Sequence, residues 1–194
     1  SYYPFTFSFL RHSLDSLLLQ PFATHSLRRT PFALSRGGNW SELLTITEFP
    51  KTRADVDLVA KRKVIFLTAR IHPGESNASW MMKGLIQFLV SHHEVAGYLR
   101  RQCVFKIIPM LNVDGVINGN YRCSLTGVDL NRQWGSPSPI SHPIIYAAKQ
   151  FVLHLAQQRQ LFFYCDYTGH SRMKNICLYA CDQSTNKCES ALLP

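Results

Sequence analysis

Acidic residues are scarce in this sequence. Asp and Glu number 12 against 21 Lys and Arg, a formal net charge of +9 over 194 residues. With 46% hydrophobic and 17% charged residues, the chain is too apolar to be disordered and has enough apolar side chains for a packed core. Long apolar runs are missing: the longest are as short as Leu161-Phe162-Phe163-Tyr164-Cys165, against the about 20 residues a helix needs to cross a bilayer. No membrane partner is expected. The first residues lack a basic start followed by an apolar block, so no secretory leader is legible. Basic residues are scattered (Arg28-Arg29, Lys61-Arg62-Lys63, Arg100-Arg101), with no long block and no interleaved aromatics, so nucleic acid is not an expected partner. The positive excess suits solubility or an acidic partner. Cys177 and Cys181 have no matching pair at zinc-finger spacing, and the six cysteines are expected as reduced thiols in the cytoplasm. The chain starts at Ser1 without an initiator Met and is read as a piece of something longer.

What is present has the rhythm of an α/β protein. Val64 to Ala69, Val104 to Ile108 and Leu161 to Cys165 are short apolar runs that read as buried strands. Leu43 to Thr47 reads as another strand and Ile176 to Tyr179 as a further one. Ser76 to His92 and Ser141 to Gln158 carry apolar residues at helical spacing, with Ser76 or Asn77 as the expected cap of the first. Ser13 to Leu19 reads as a short helix, Pro21 to Trp40 as loop, and Asn112 to Arg132 as Gly- and Asn-rich loops. The alternation predicts a mixed, mostly parallel sheet flanked by helices. Ligands of such sheets gather at the carboxyl ends of the strands. Polar residues collect at three of those ends: Arg70 to Glu75, Asn112 to Arg132, and Asp166 to Arg172.

His72 and Glu75 are separated by Pro73 and Gly74, and a turn of that spacing can aim an imidazole and a carboxylate at one point, which suits zinc. For the pair alone, a structural loop stays open as the other reading. In order along the chain stand His72-Pro73-Gly74-Glu75, Asn112-Val113-Asp114-Gly115, Gly119-Asn120-Tyr121-Arg122, Asp129-Leu130-Asn131-Arg132 and Asp166-Tyr167-Thr168-Gly169-His170-Ser171-Arg172. This series resembles the zinc metallocarboxypeptidases, most of all the cytosolic carboxypeptidase branch that trims glutamates from tubulin and other proteins. The resemblance runs from about Tyr2 through nearly the whole chain.

The resemblance implies a zinc-carboxypeptidase-like fold, with residues 1–194 as the N-terminal portion of the catalytic domain. It implies His72 and Glu75 as ligands of one Zn2+, Arg122 as the catalytic arginine that polarises the scissile carbonyl, and Asn131 and Arg132 as the grip on the substrate's terminal carboxylate. Asp129 would orient the His72 ring; the plainer reading for Asp129 and Arg132 is a surface ion pair. The expected reaction is metal-assisted hydrolysis of a C-terminal peptide bond in glutamate-rich protein tails, tubulin among them. Arg172 and Lys174 would add positive charge locally.

The sequence departs from the family pattern in two places. The third-ligand histidine is replaced by Thr168, whose neutral hydroxyl is a poor donor to zinc, and His170 lies two residues on, roughly 6–7 Å away in an extended segment. The family's general-base glutamate lies well downstream, Glu189 is too close to Thr168 to be it, and the chain stops at Pro194, so the fold is expected to be truncated at its C-terminus. The alternative function is therefore an inactive relative or fragment that binds acidic protein tails without cutting them.

Overall fold

Runs of β-branched and aromatic side chains make the centre of a five-stranded sheet. The computed structural model describes residues 12, 15–16, 25–158, 161–170, 172 and 175–179. In chain order the elements are β1 (Leu27–Leu34), β2 (Trp40–Ile46), α1 (Arg53–Ala60), β3 (Lys63–Ala69), α2 (Ser76–Val90), α3 (Glu94–Gln102), β4 (Cys103–Ile108), α4 (Val113–Asn118), a 3-10 turn (Leu130–Arg132), α5 (Pro143–Gln158) and β5 (Leu161–Tyr167). Their order across the sheet is β1-β2-β4-β3-β5. β4, β3 and β5 are parallel, while β2 joins β4 and β1 joins β2 antiparallel. The fold is the expected mixed sheet flanked by helices.

Parallel strands must be joined by a crossover, and α2 with α3 makes it between β3 and β4. β5 then pairs on the other side of β3. The chain thus leaves the C-terminal end of β3 in one direction and returns on its opposite flank, which opens a crevice there. Beneath it, Phe66 of β3 meets Phe151 of α5 edge-on at 5.7 Å and stacks on Tyr164 of β5 at 5.6 Å. Met82, Ile86 and Leu89 of α2 and Ile144, Ile145 and Ala148 of α5 complete the core around Leu44, Ile46, Ile107 and Ile108.

Several expectations are corrected. The stretch read as loop from Pro21 to Trp40 contains β1. This edge strand is half exposed, and Pro31 sits at a bulge, where a missing N–H interrupts no ladder. α1 has no buried residue and escapes a search for apolar periodicity; its start is held by a capping box in which Thr52 accepts from Asp55 N–H and Asp55 accepts in return from Thr52 N–H. α3 and α4 were likewise not expected, and α4 lies within the segment read as loops. It begins at Asn112, whose side chain accepts from Gly115 N–H, and it ends at Gly119 in the left-handed region at φ 77°. α2 is capped by neither Ser76 nor Asn77: its N-cap is Glu75, which makes no side-chain cap bond because its carboxylate faces the crevice. α5 starts at Pro143, where a missing N–H costs nothing. Ile176 to Tyr179 forms no strand; Ile176 and Leu178 are 88% and 87% exposed, with no neighbouring strand to pair with among the described residues. The helix expected over Ser13 to Leu19 lies outside the described residues apart from Asp15 and Ser16. Cys103, Cys123, Cys165 and Cys177 are free thiols.

Asp114 ties the β1–β2 hairpin to the sheet edge. Its buried carboxylate accepts from Ser35 Oγ, from Gly37 N at 2.8 Å and from Asn39 Nδ2 at 2.9 Å, and a Cβ on Gly37 would lie 2.8 Å from Asp114 Oδ1. We expect Asp114→Ala to cost about 2 kcal/mol, because three donors lose one acceptor. Denaturant unfolding measures this, and an unchanged midpoint would contradict it.

Candidate active site

The loop that leaves β3 is shaped by backbone strain and close approach. Arg70, fully buried, takes a left-handed φ of 57°, which costs a non-glycine residue about 1 kcal/mol. Its side chain holds the conformation it forces: Nε donates to Pro73 O at 2.9 Å and Nη1 to Ser79 Oγ at 2.6 Å, joining the loop to α2. Gly74 donates to Tyr121 O at 2.7 Å, and a Cβ there would lie 2.7 Å from the same oxygen, so only glycine lets these two segments touch. Asn112 Nδ2 donates to Ile71 O at 3.1 Å from the other side. The result presents His72 and Glu75 side by side.

His72 is almost fully buried between two carboxylates. Its Nδ1 lies 3.0 Å from Glu75 Oε1 and its Nε2 lies 3.0 Å from Asp129 Oδ1. Asp129 gathers the remaining parts: it accepts from Arg122 Nε at 2.9 Å, pairs with Arg122 Nη2 at 2.8 Å, and accepts from the Asn131 N–H at 2.9 Å. That last bond caps the 3-10 turn and places Asn131 and Arg132 beside Arg122 in the same loop. The Arg132 guanidinium is exposed and makes no hydrogen bond or ion pair among the described residues. Arg122, with Nε and Nη2 engaged by Asp129, has a side chain that is 46% exposed. The third wall comes from β5: Thr168 Oγ1 and Gly169 N, the latter at 2.7 Å, both donate to Glu75 Oε2. A Cβ on Gly169 would lie 3.1 Å from Glu75 Cγ and 2.8 Å from Asn77 Oδ1.

Thr168, Glu75, His72, Asp129 and Arg122 are therefore linked in one chain of polar contacts, which the Asn131 N–H joins at Asp129 and Arg132 follows in the turn. His170 stands apart from that pairing pattern: it is exposed, its Nδ1 accepts from Arg172 N at 3.1 Å, and its ring tilts against Tyr179. Of the other polar residues at the sheet edge, Asn112 caps α4 and Asp114 holds the hairpin. The supports that sequence reasoning assigned no role are Arg70, Thr68, Tyr164 and Asp166. Thr68 donates to Asp166 Oδ1 at 2.6 Å and lies 3.1 Å from the Tyr164 hydroxyl. Arg70 had a visible signal, a charge at the end of an apolar strand.

Proton affinities follow from the geometry. The hydrogen bond to Glu75 raises the His72 pKa; burial opposes this, and Asp129 adds to the rise. Burial pushes Glu75 up, but the bonds from His72, Thr168 and the Gly169 N–H outweigh it and hold the carboxyl below its ordinary range. Asp129 behaves alike: burial raises it, and the Asn131 N–H, His72 and Arg122 together bring it down. Asp166 is pushed up by burial, with Thr68 and His72 opposing. The His72 ring thus lies between two carboxylates that favour its protonated form.

Zinc was tested against these donors. His72 and Glu75 converge as two ligands would, but the third side chain is a threonine hydroxyl already donating to Glu75, and no group of three His, Cys, Asp or Glu suited to a metal ion occurs among the described residues. A catalytic zinc held by three protein ligands does not fit this set.

Comparison with known proteins places the chain in a family. A family profile described as zinc carboxypeptidase matches residues 25–189. The chain belongs to the zinc carboxypeptidase family. It is 48% identical over 183 residues to cytosolic carboxypeptidase 1 of Danio rerio, covering 93% of this chain and 16% of that protein. It is 48% identical over 188 residues to cytosolic carboxypeptidase 4 of Homo sapiens, with the same coverage of each. Its fold superposes on a metallo-carboxypeptidase from Burkholderia cenocepacia with a TM-score of 0.70 at 26% identity, covering 84% of this chain and 40% of that one. The chain thus spans about a sixth of the length of these curated relatives. No helix among the described residues is long and apolar enough to cross a membrane.

The metal-free protein is expected to depend on pH through this cluster. His72, raised, contributes stability that is complete below its ordinary pKa of 6.5 and lost as pH rises through the folded value. Glu75 and Asp129, lowered, contribute above their ordinary 4.5 and 3.8 and lose it as pH falls through their folded values. With EDTA present, the cluster's contribution to the melting temperature should be greatest between about pH 4.5 and 6.5. His72→Gln should flatten the decline on the alkaline side; an unchanged profile would count against the assigned proton.

Proposed function

We propose that this chain is part of a carboxypeptidase-type hydrolase that acts at the C-termini of glutamate-rich protein tails, tubulin among them, in the cytoplasm. The observation that carries the reading is the Asp129 hub, whose carboxylate engages His72, Arg122 and the Asn131 N–H at the start of the turn that bears Arg132. A planar guanidinium meets a carboxylate through two parallel hydrogen bonds, so Arg132 with Asn131 suits the substrate's terminal carboxylate. Arg122, held by Asp129, leaves a donor for the scissile carbonyl, where negative charge develops on hydrolysis. The net charge of +9 favours acidic tails over basic ones. Curated relatives bearing the name cytosolic carboxypeptidase support the substrate end, the compartment and the hydrolytic reaction.

A second reading, binding of acidic tails without cleavage, is favoured by Thr168. With a hydroxyl in the third-ligand place, Glu75 is engaged by His72 through one oxygen and by Thr168 through the other. Release of glutamate from a polyglutamate peptide separates the two: release supports hydrolysis, and retention of bound peptide supports binding alone. In either case Arg132→Gln should weaken a free-carboxyl peptide about tenfold or more and leave its amidated form unaffected. Equal loss for both forms would contradict the terminal-carboxylate role. Thr168→His should raise zinc affinity by roughly two orders of magnitude in calorimetric titration. An equal zinc affinity in both proteins would show that the third position is supplied elsewhere.

A further inference from the structure

The opposite pole of the sheet carries a second opening. A cavity of about 530 Å3 lies between the start of β1, the segment after β2, and the C-terminal ends of α2 and α3. Its mouth brings together His25, Arg28, Lys51, His92 and Arg100 against one acid, Glu48. Arg28 lies 4.0 Å above the centre of the Phe49 ring, which holds the guanidinium at the rim without neutralising it. Arg100 Nη1 donates to Leu89 O and to Ser91 O, covering the carbonyls at the end of α2 with a cation. Behind it, Arg62 Nη1 donates to Thr47 Oγ1 at 2.9 Å and Arg100 O at 3.1 Å, adding a further positive charge to this end. None of these groups takes part in the site at the other pole.

We infer that this basic cavity is a docking site for an acidic peptide segment. Arg28, Lys51 and Arg100 share the lining with Phe49, Pro50 and Val90, so the cavity offers apolar wall as well as positive charge, a mixture that a peptide uses and a single phosphate does not. A volume of this order suits several residues of peptide rather than one inorganic ion. Charges at such a rim act mainly on encounter and selection, favouring segments dense in Glu or Asp. The inference rests on the proposed acidic-tail substrate for its biological meaning. The seven residues of β3 separate the poles by about 23 Å. About seven extended residues match that distance and about ten leave slack for a path over the surface, so one tail can engage both poles.

The test uses the whole chain and a fluorescent decaglutamate whose C-terminus is amidated, so the grip at Arg132 has no terminal carboxylate to hold. Anisotropy should show salt-sensitive binding that falls about tenfold or more in the double variant Arg28→Glu, Lys51→Glu and is unchanged in Arg132→Gln. Both substituted side chains are exposed, and circular dichroism checks that the variant is folded. Binding unaffected by the double variant would overturn the inference. So would loss of amidated-peptide binding in Arg132→Gln, which would place the peptide in the site at the other pole. Competition by inorganic phosphate alone, at concentrations where sodium chloride of equal ionic strength does nothing, would make this a small-anion site and overturn the peptide class. Oligonucleotide binding stronger than decaglutamate would do the same in favour of nucleic acid. The free-carboxyl peptide run in parallel tests the grip at Arg132 separately, so failure of one reading is distinguishable from failure of the other.

Discussion

Asp129 is the residue on which the site's geometry depends. One carboxylate oxygen faces the buried His72 ring and the Asn131 N–H, and the other holds Arg122 by two nitrogens. The loop after β3 is thereby fixed to the segment from Arg122 to Asn131, more than fifty residues on. Each bond is modest alone, but a carboxylate shared by an imidazole ring, a guanidinium and a backbone N–H is locked in one orientation. Without it, His72 would lose the partner that sets its ring, and the Arg122 guanidinium would lose its anchor.

The sheet supplies the place where such a hub can form. β5 adds to the opposite side of β3 from β4, so the end of β3 is bordered by loops from both directions. Arg70 turns the chain there, and Gly74 lets the loop lie against the backbone of Tyr121. The polar groups are satisfied by each other: His72 by Glu75 and Asp129, Glu75 by Thr168 and Gly169, Asp166 by Thr68. Burial of those charges is tolerable for that reason, since an unpaired charge in the same position would be strongly destabilising.

Legibility followed hydrophobic contrast. β3, β4 and β5 were readable because buried parallel strands are short apolar runs, and α2 and α5 because each turns one apolar face to the core. β1 was not, since an edge strand that contains Pro31, buries only Leu27 and lacks regular alternation looks like loop. α1 and α4 owe their existence to capping more than to burial or length, and short capped helices leave little periodic signal. Around the site, residue types and their order were visible, and with them the resemblance to the carboxypeptidases.

By itself the sequence determined the family and the α/β class, because both are matters of residue type and order. Tertiary structure alone decided that Asp129 unites His72 with Arg122, that Arg70 is spent on the loop instead of on a ligand, and that Thr168 donates to Glu75. It alone brought His25, Arg28, Lys51 and Arg100 to one cavity at the other pole. The physical reason is that partners in a hydrogen bond or a shared electrostatic field are chosen by distance in space, and strand pairing sets those distances between residues the sequence keeps far apart.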